Sequence, residues 1–419
     1  MNAALDAARA LDAADPLTAL STEFCHPLTA AGQRSVYLCG HSLGLAPRSA
    51  RVRVSEEMDD WERLAVDGHH IAQRPWIDYA DHAIPGLAAL TGARPHELVA
   101  MNSLSVNLHL LMASFYRPLG ARRRILIEAG AFSSDRHAVA AQIAWHGLDP
   151  DSELVEVRPE GSSATLDAAQ IDAAIEREGE RLALVLWPGV QYRTGQVFDC
   201  GRIARSAHRV GALAGFDHAH AIGNVPLDLP GDEADFAVWC SYKYLNSGPG
   251  AIGGAFVHER HAANEAIPRL AGWWGHEPGS RFKMLPGFVP ARGAAGWAVS
   301  NPPILSCAPL LASLDIFQRV GMPALRARSQ RLTGYFARLL QEHCGGIEIV
   351  TPEDALQRGC QLSLRFATPG EARRQFEALH HAGVICDLRE PDLLRAAPAP
   401  LYNGYADVCR FVQALAAGK

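Results

Sequence analysis

Lys243 lies between two tyrosines in the stretch CSYKYLNSGPGAIGGAFVHE (Cys240–Glu259), which follows the apolar, β-rich DFAVW (Asp235–Trp239). A second β-rich run, GALAGFDHAHA (Gly211–Ala221), ends in Asp217, with His220 three residues on and Lys243 twenty-three residues after that. In open α/β sheets ligands sit beyond the carboxyl ends of strands. A carboxylate and an amine at two neighbouring strand ends match what pyridoxal phosphate requires. The acid pairs with the protonated pyridine nitrogen, and the lysine holds the aldehyde as a Schiff base. Such an amine must be partly desolvated for its neutral form to be available, which accounts for its lack of carboxylate neighbours in sequence. Taken singly, each residue has a plainer reading: Asp217 as a turn or cap aspartate, Lys243 as a surface amine at a strand end.

A phosphate needs donors. MNSLSVNLHLLMASF (Met101–Phe115) sets Ser103 and Ser105 at the start of an apolar helical run, where free backbone N–H groups and hydroxyls suit a dianion. A simple serine N-cap is the alternative. AGAFSSDRHA (Ala129–Ala138) places Phe132 after the strand-like RILIEA, so that its ring could stack on a cofactor or pack in the core. GPGAIGG contains a GxGxxG spacing but is followed by β-type residues, so a tight turn back into a strand fits it better than a dinucleotide fingerprint.

These residues need a sheet to hold them. Apolar β-rich runs at Arg124–Ala129, Leu182–Gly189, Gly211–Ala221, DFAVWCS and GGAFVH alternate with helical stretches such as SSDRHAVAAQIAWHG and DAAQIDAAIEREGE. That alternation predicts a parallel or mixed sheet covered by helices on both faces. After NPPIL (Asn301–Leu305) the texture becomes α+β: one long helix over about Ala308–Cys344, then shorter strands at GIEIV, CQLSLRF and GVICDLRE. The division expected is an N-terminal segment (1–55) packing with the small domain, a large domain (56–305) and a small C-terminal domain (306–419).

With 419 residues, 48% hydrophobic and 20% charged, the chain has ordinary globular composition. A net charge of −6 with scattered signs gives no basic face for nucleic acid or anionic membrane, and no apolar run nears the roughly 20 residues that span a bilayer. Nine cysteines without a CxxC pair read as reduced thiols in a cytoplasm. Eighteen histidines form no HExxH pattern, so no metal is expected.

YLCGHSLGLAP, MNSLSVNLHLLMASFYRP, GVQYRTGQVFDC, GFDHAHAIGNVPL, DFAVWCSYKYLNSGPGAIGGAFVHERHA, LAGWWGHE, WAVSNPPIL and LRAAPAPLYNGYADVCRFV run in order from about residue 35 to the end. In them the chain resembles kynureninase. The resemblance implies a pyridoxal-phosphate enzyme of fold type I, the aspartate aminotransferase fold, with a mostly parallel seven-stranded sheet. It also implies a homodimer with shared active sites that hydrolyses kynurenine or 3-hydroxykynurenine to an anthranilate and L-alanine.

Matched by motif, Lys243 would hold the cofactor and move the α-proton, Asp217 would pair with the pyridine nitrogen, and His220 would support the ring. Leu104 and Ser105 would bind phosphate, Phe132 would stack, and Ser133, Ser134 and Asp135 would complete that turn. Tyr242 would reach phosphate and assist proton transfer during cleavage. Trp273 and Asn301 match further cofactor-proximal positions, though Trp273 and Trp274 could equally be core or interface aromatics. Arg395 matches the clamp for the substrate carboxylate, and its planar fork suits that role.

Departures occur at His41, beside Ser42 in the substrate region, where the family generally carries Asn; at His218, where Leu is common; at Ser133, where Pro is common; and at Pro188, where some members have Ser. His69 and Asn301 follow the animal-type pattern, whereas many bacterial kynurenine-degrading enzymes carry an aromatic such as Trp at the former. A histidine and an amide could both bond a ring hydroxyl, which implies a lean to 3-hydroxykynurenine or another ring-substituted substrate. The rival readings are another fold type I lyase or aminotransferase, such as a cysteine desulfurase with its mobile catalytic cysteine, and a binding protein that has lost its catalytic lysine.

Overall fold

The computed structural model describes residues 2–418 except 263 and 265. Seven strands form the central sheet: β1 (Leu98–Ala100), β2 (Arg124–Glu128), β3 (Leu154–Val157), β4 (Leu182–Pro188), β5 (Leu213–Asp217), β6 (Phe236–Cys240) and β7 (Gly253–Val257). Their spatial order is β1-β7-β6-β5-β4-β2-β3. The five strands from β2 to β6 are parallel, while β7 runs antiparallel to β6 and β1 antiparallel to β7. Strands β5, β6 and β7 are apolar and buried on both faces, as expected where helices cover a parallel sheet on each side. The β-rich runs singled out in the sequence all became strands. Leu98–Ala100 and Leu154–Val157, short segments at the sheet's edges, carry too weak a pattern to be recognised.

Seven helices matter here: α1 (Asn2–Ala14), α2 (Arg48–Leu64), α3 (Leu104–Phe115), α4 (Ser133–Trp145), α5 (Ile304–Val320), α6 (Met322–His343) and α7 (Tyr405–Ala417). The single long helix expected over about Ala308–Cys344 is instead two helices, α5 and α6, meeting at an 84° bend. Gly321 lies at the break with φ +81°, a left-handed conformation that glycine adopts without penalty, and Pro323 opens the next helix.

The bend divides the packing. Cys307, Leu310, Leu314 and Phe317 of α5 join the large core that also holds Trp187, Phe216 and Trp239. Leu332, Phe336 and Leu340 of α6 join a second core with Val36, Leu362, Leu394 and Phe411. Residues 306–320, expected on the small-domain side of a division at 305/306, therefore pack with the large core.

The second core is backed by a four-stranded antiparallel sheet: β8 (Glu348–Ile349), β9 (Leu362–Arg365), β10 (Asp387–Arg389) and β11 (Leu393–Ala396), ordered β10-β11-β9-β8. The N-terminal segment straddles both cores: Ala8, Val36 and Leu38 pack with the second, and Leu20, Phe24 and Leu45 with the first. Among the described residues no single helix is long and apolar enough to cross a membrane.

Candidate active site

At the carboxyl ends of β2, β4, β5 and β6 the sheet opens into a cleft of about 690 Å³, open solvent at its mouth included. Leu104, Ser105, Phe132, Ser134, Asp135, Asp217, His220, Tyr242 and Lys243 all line it. Lys243 follows β6 and is nine-tenths buried, with its Nζ 5.8 Å from the ring centres of both Phe132 and Tyr242. Gly44 anchors this lysine turn by donating its N–H to the Tyr242 carbonyl at 2.8 Å.

Asp217 ends β5, and its Oδ1 accepts from the Ala219 N–H at 2.7 Å. Asp135, in the first turn of α4, faces it. Burial first, and then the neighbouring Asp217 carboxylate, raise Asp135 well above the ordinary carboxylate range. Burial, followed by the charge of Lys243, lowers His220 well below the usual imidazole range and keeps it neutral. Burial also raises the Tyr242 phenol, with Cys240 next in effect, so it remains a proton donor at neutral pH.

The starts of α3 and α4 meet at this cleft. Ser103 precedes α3 but makes no side-chain cap bond. Ser105 Oγ and Ser134 Oγ lie 2.8 Å apart, each still able to turn toward an anion. Ser133 starts α4 facing solvent and does not line the cleft.

Several lining residues went unassigned in the sequence. Gln191 donates to Glu128 Oε1 at 2.5 Å and to the Gly130 carbonyl at 3.2 Å, while its Oε1 accepts from the N–H groups of Arg193 and Thr194 at 2.5 and 2.9 Å. Burial pushes Glu128 up to about 8, with the Gln191 bond opposing. Tyr192 sets its ring edge-on to Phe132 at 5.3 Å. The sequence signals were that GVQYRTG runs on from a strand end and lies in the family-like motif GVQYRTGQVFDC, which assigned no role to either side chain.

His41, Ser42 and Arg395 gather behind Tyr192 around Asp387, outside the cleft lining. Arg395 donates Nη1 to the Tyr192 carbonyl and Nη2 to Asp387 Oδ2, both at 2.6 Å. Cys39, His41 and Asp387 bring ligand-type atoms within 4.8 Å of one another, but Asp387 is already bonded to two arginines.

His69, Trp273 and Asn301 do not reach the Lys243 cleft. They line a separate cavity of about 910 Å³ with Trp76, Trp274 and Phe282, and share no lining residue with the first. There the His69 Nδ1–H donates to the Val66 carbonyl, 3.0 Å away, and the ring meets Trp76 edge-on.

The cleft fits pyridoxal phosphate. It offers an amine, a carboxylate for a ring nitrogen, an aromatic face and two hydroxyls at helix starts. Asp135 Oδ1 and His220 Nδ1 are buried there without a hydrogen-bond partner, and an unpaired buried polar atom is costly unless a ligand satisfies it.

A sequence profile of the kynureninase C-terminal domain matches residues 325–415. The chain is 57% identical over 408 residues to a kynureninase of Xanthomonas campestris pv. campestris, covering 97% of this chain and 96% of that one. It is 55% identical over 406 residues to a kynureninase of Stenotrophomonas maltophilia, covering 96% of each. Among solved structures, a cystine C–S lyase in complex with its product cysteine persulfide superposes with a TM-score of 0.77 at 19% identity, over 91% of this chain and 97% of the other. The Escherichia coli cysteine desulfurase CsdA gives 0.77 at 18% identity, over 96% and 98%. At those identities the two structures share the fold.

Proposed function

The chain belongs to the kynureninase family, a pyridoxal-phosphate hydrolase of the kynurenine carbon–carbon bond, and from that premise we propose that its preferred substrate is 3-hydroxykynurenine or another ring-substituted kynurenine. The observation that carries this is that His69 and Asn301, 232 residues apart, line one cavity. An imidazole and an amide there supply hydrogen bonds for a ring hydroxyl. A site that pairs with a hydroxyl penalises the analogue lacking it, because its own polar groups then stay unpaired.

The geometry supports a set of roles. Lys243 would hold the cofactor aldehyde, Asp217 its ring nitrogen, and Ser105 and Ser134 its phosphate, at helix starts whose N–H groups would add to the attraction. Phe132 would stack on the ring. The bound cofactor supplies an electron sink for the charge left at the substrate Cα. Lys243 takes the α-proton at Nζ and later returns it. Tyr242 donates its phenolic proton where charge develops on the ketone oxygen as water adds, a stabilisation worth most in a cleft that excludes bulk water. Arg395 takes the substrate carboxylate.

The active unit is a homodimer. The His69–Asn301 cavity lies apart from Lys243 within one chain, and around it Val66, Ile71, Trp273 and Phe282 are 75%, 64%, 44% and 53% exposed. Apolar side chains so concentrated suit a second copy, whose cleft the cavity would then complete. A cysteine desulfurase reading is disfavoured because Cys307, Cys344, Cys360, Cys386 and Cys409 are all buried. The nine thiols, with no disulfide among the described residues, suit a reducing cytoplasm.

The test is kcat/KM for kynurenine and 3-hydroxykynurenine, followed by anthranilate fluorescence. An advantage of tenfold or more for the hydroxylated substrate is expected, and equal values would refute the preference.

A further inference from the structure

Asp387 and Arg395 are directly paired across the antiparallel strands β10 and β11, so their side chains share one face of the small sheet. Arg389, two residues beyond Asp387, lies on that same face. Three donors converge on Asp387 Oδ2: Arg395 Nη2 at 2.6 Å, Ser42 Oγ at 2.8 Å and Arg389 Nη2 at 3.1 Å. Arg389 Nε also lies 3.1 Å from Oδ1. The two guanidinium groups sit at the same distance, 5.9 Å, from the Tyr192 ring centre, and Tyr192 is a wall of the Lys243 cleft.

The charge count of this cluster is unusual for a structural ion pair. Arg395 is 1% exposed, and its Nε is buried with no hydrogen-bond partner. His41, fully buried with its Nε2 3.8 Å from Asp387, is held neutral by burial and then by the two arginines. Burial likewise pushes the Cys39 thiol up to about 11, so it too is neutral. Two fixed positive charges therefore face one negative charge. Arg389 is 38% exposed, so water screens part of the surplus, but Arg395 is buried, and its unused Nε–H is a donor available to a monoanion that completes the cluster.

Resting on the reading above that Arg395 takes the substrate carboxylate, we propose that Asp387 is the positioning residue of this clamp and Arg389 its second positive charge. Asp387 holds both guanidinium groups and Ser42 in one arrangement, and it cancels only one of the two charges. What remains selects an amino acid bearing a free α-carboxylate over the same molecule with a neutral carboxamide.

The experiment titrates the cofactor-loaded enzyme with L-alanine and with L-alaninamide by calorimetry, in unmodified protein, Asp387→Asn and Arg389→Gln. Unmodified enzyme is expected to prefer alanine at least tenfold. Arg389→Gln, at a part-exposed position that the fold tolerates, should cut that preference by tenfold or more through loss of the surplus charge. Asp387→Asn should do the same through loss of the anchor, with KM for kynurenine rising more than kcat falls. If both variants keep the unmodified preference, or bind alanine more tightly, Asp387 is only a competitor for Arg395 and the proposal fails. If instead the unmodified enzyme shows no preference for the carboxylate, the fault lies in the Arg395 assignment beneath it.

Discussion

The backbone N–H of Gly44 donates to the carbonyl of Tyr242 at 2.8 Å, one residue before Lys243. The contact is possible only because Gly44 has no Cβ. A methyl built there meets Asn246 Oδ1 and the Lys243 carbonyl, and lies 2.7 Å from Asn246 Cα. Backbone atoms cannot yield as a flexible side chain can, so Gly44→Ala must push the lysine turn away from the N-terminal segment. Overpacking of this kind costs about 1–3 kcal/mol or more. We expect a Tm lowered by several degrees and a weakened hold on the cofactor, measured as loss of its absorbance on dialysis. Unchanged melting and retention would show that the turn is not set by this contact.

Glu128 gives a pH signature in the cofactor-free protein. Its folded-state value of about 8 lies above the ordinary 4.5 of the unfolded chain. Between those values the folded state binds the extra proton, so Glu128's contribution is fully present below about 4.5 and is lost as pH rises through about 8. At about 1.4 kcal/mol per pH unit the whole effect is on the order of a few kcal/mol. Glu128→Gln keeps an acceptor for Gln191 and removes the charge. Its thermal stability relative to the parent should therefore climb as pH is raised from 5 to 9. A constant difference across that range would mean that Glu128 is ionised in the folded protein throughout.

The proposed sharing of active sites between two copies predicts complementation. Lys243→Ala and Asn301→Ala should each be inactive as homodimers. Mixed and re-equilibrated, they should regain up to about a quarter of the parental activity, since only hybrid dimers carry one intact pair of half-sites. Recovery of nothing, together with a fully active monomer on dilution, would place Asn301 and Lys243 in separate functions.

Replacing His69 by Trp tests the substrate preference at its source. The indole keeps an aromatic face and one donor but loses the imidazole's second polar atom. One lost hydrogen bond costs about 1–3 kcal/mol, so the kcat/KM ratio of 3-hydroxykynurenine to kynurenine should fall roughly ten- to a hundredfold. A ratio that does not move would leave His69 as a packing partner of Trp76.

Much of the cofactor cleft was legible in the chain. Asp217, His220, Tyr242 and Lys243 stand at or just beyond the ends of β5 and β6, and strand ends follow from local apolar pattern, the signal a sequence carries most directly. Long specific motifs such as CSYKYLNSGPG then identified the family. What the sequence determined by itself was therefore the sheet, its ligand-bearing edge and the class of chemistry. Tertiary structure decided the rest, because those features depend on partners distant in the chain. Gly321 breaks one apolar run into two helices serving two cores, a choice that depends on what each half packs against. Gln191 and Tyr192 become cleft residues only because β4 lies beside β5. Asp387 becomes the hub of two arginines through a strand register that no local pattern specifies. Likewise His69 and Asn301 meet in a cavity apart from Lys243, because the fold brings two distant segments onto a face the lysine does not share.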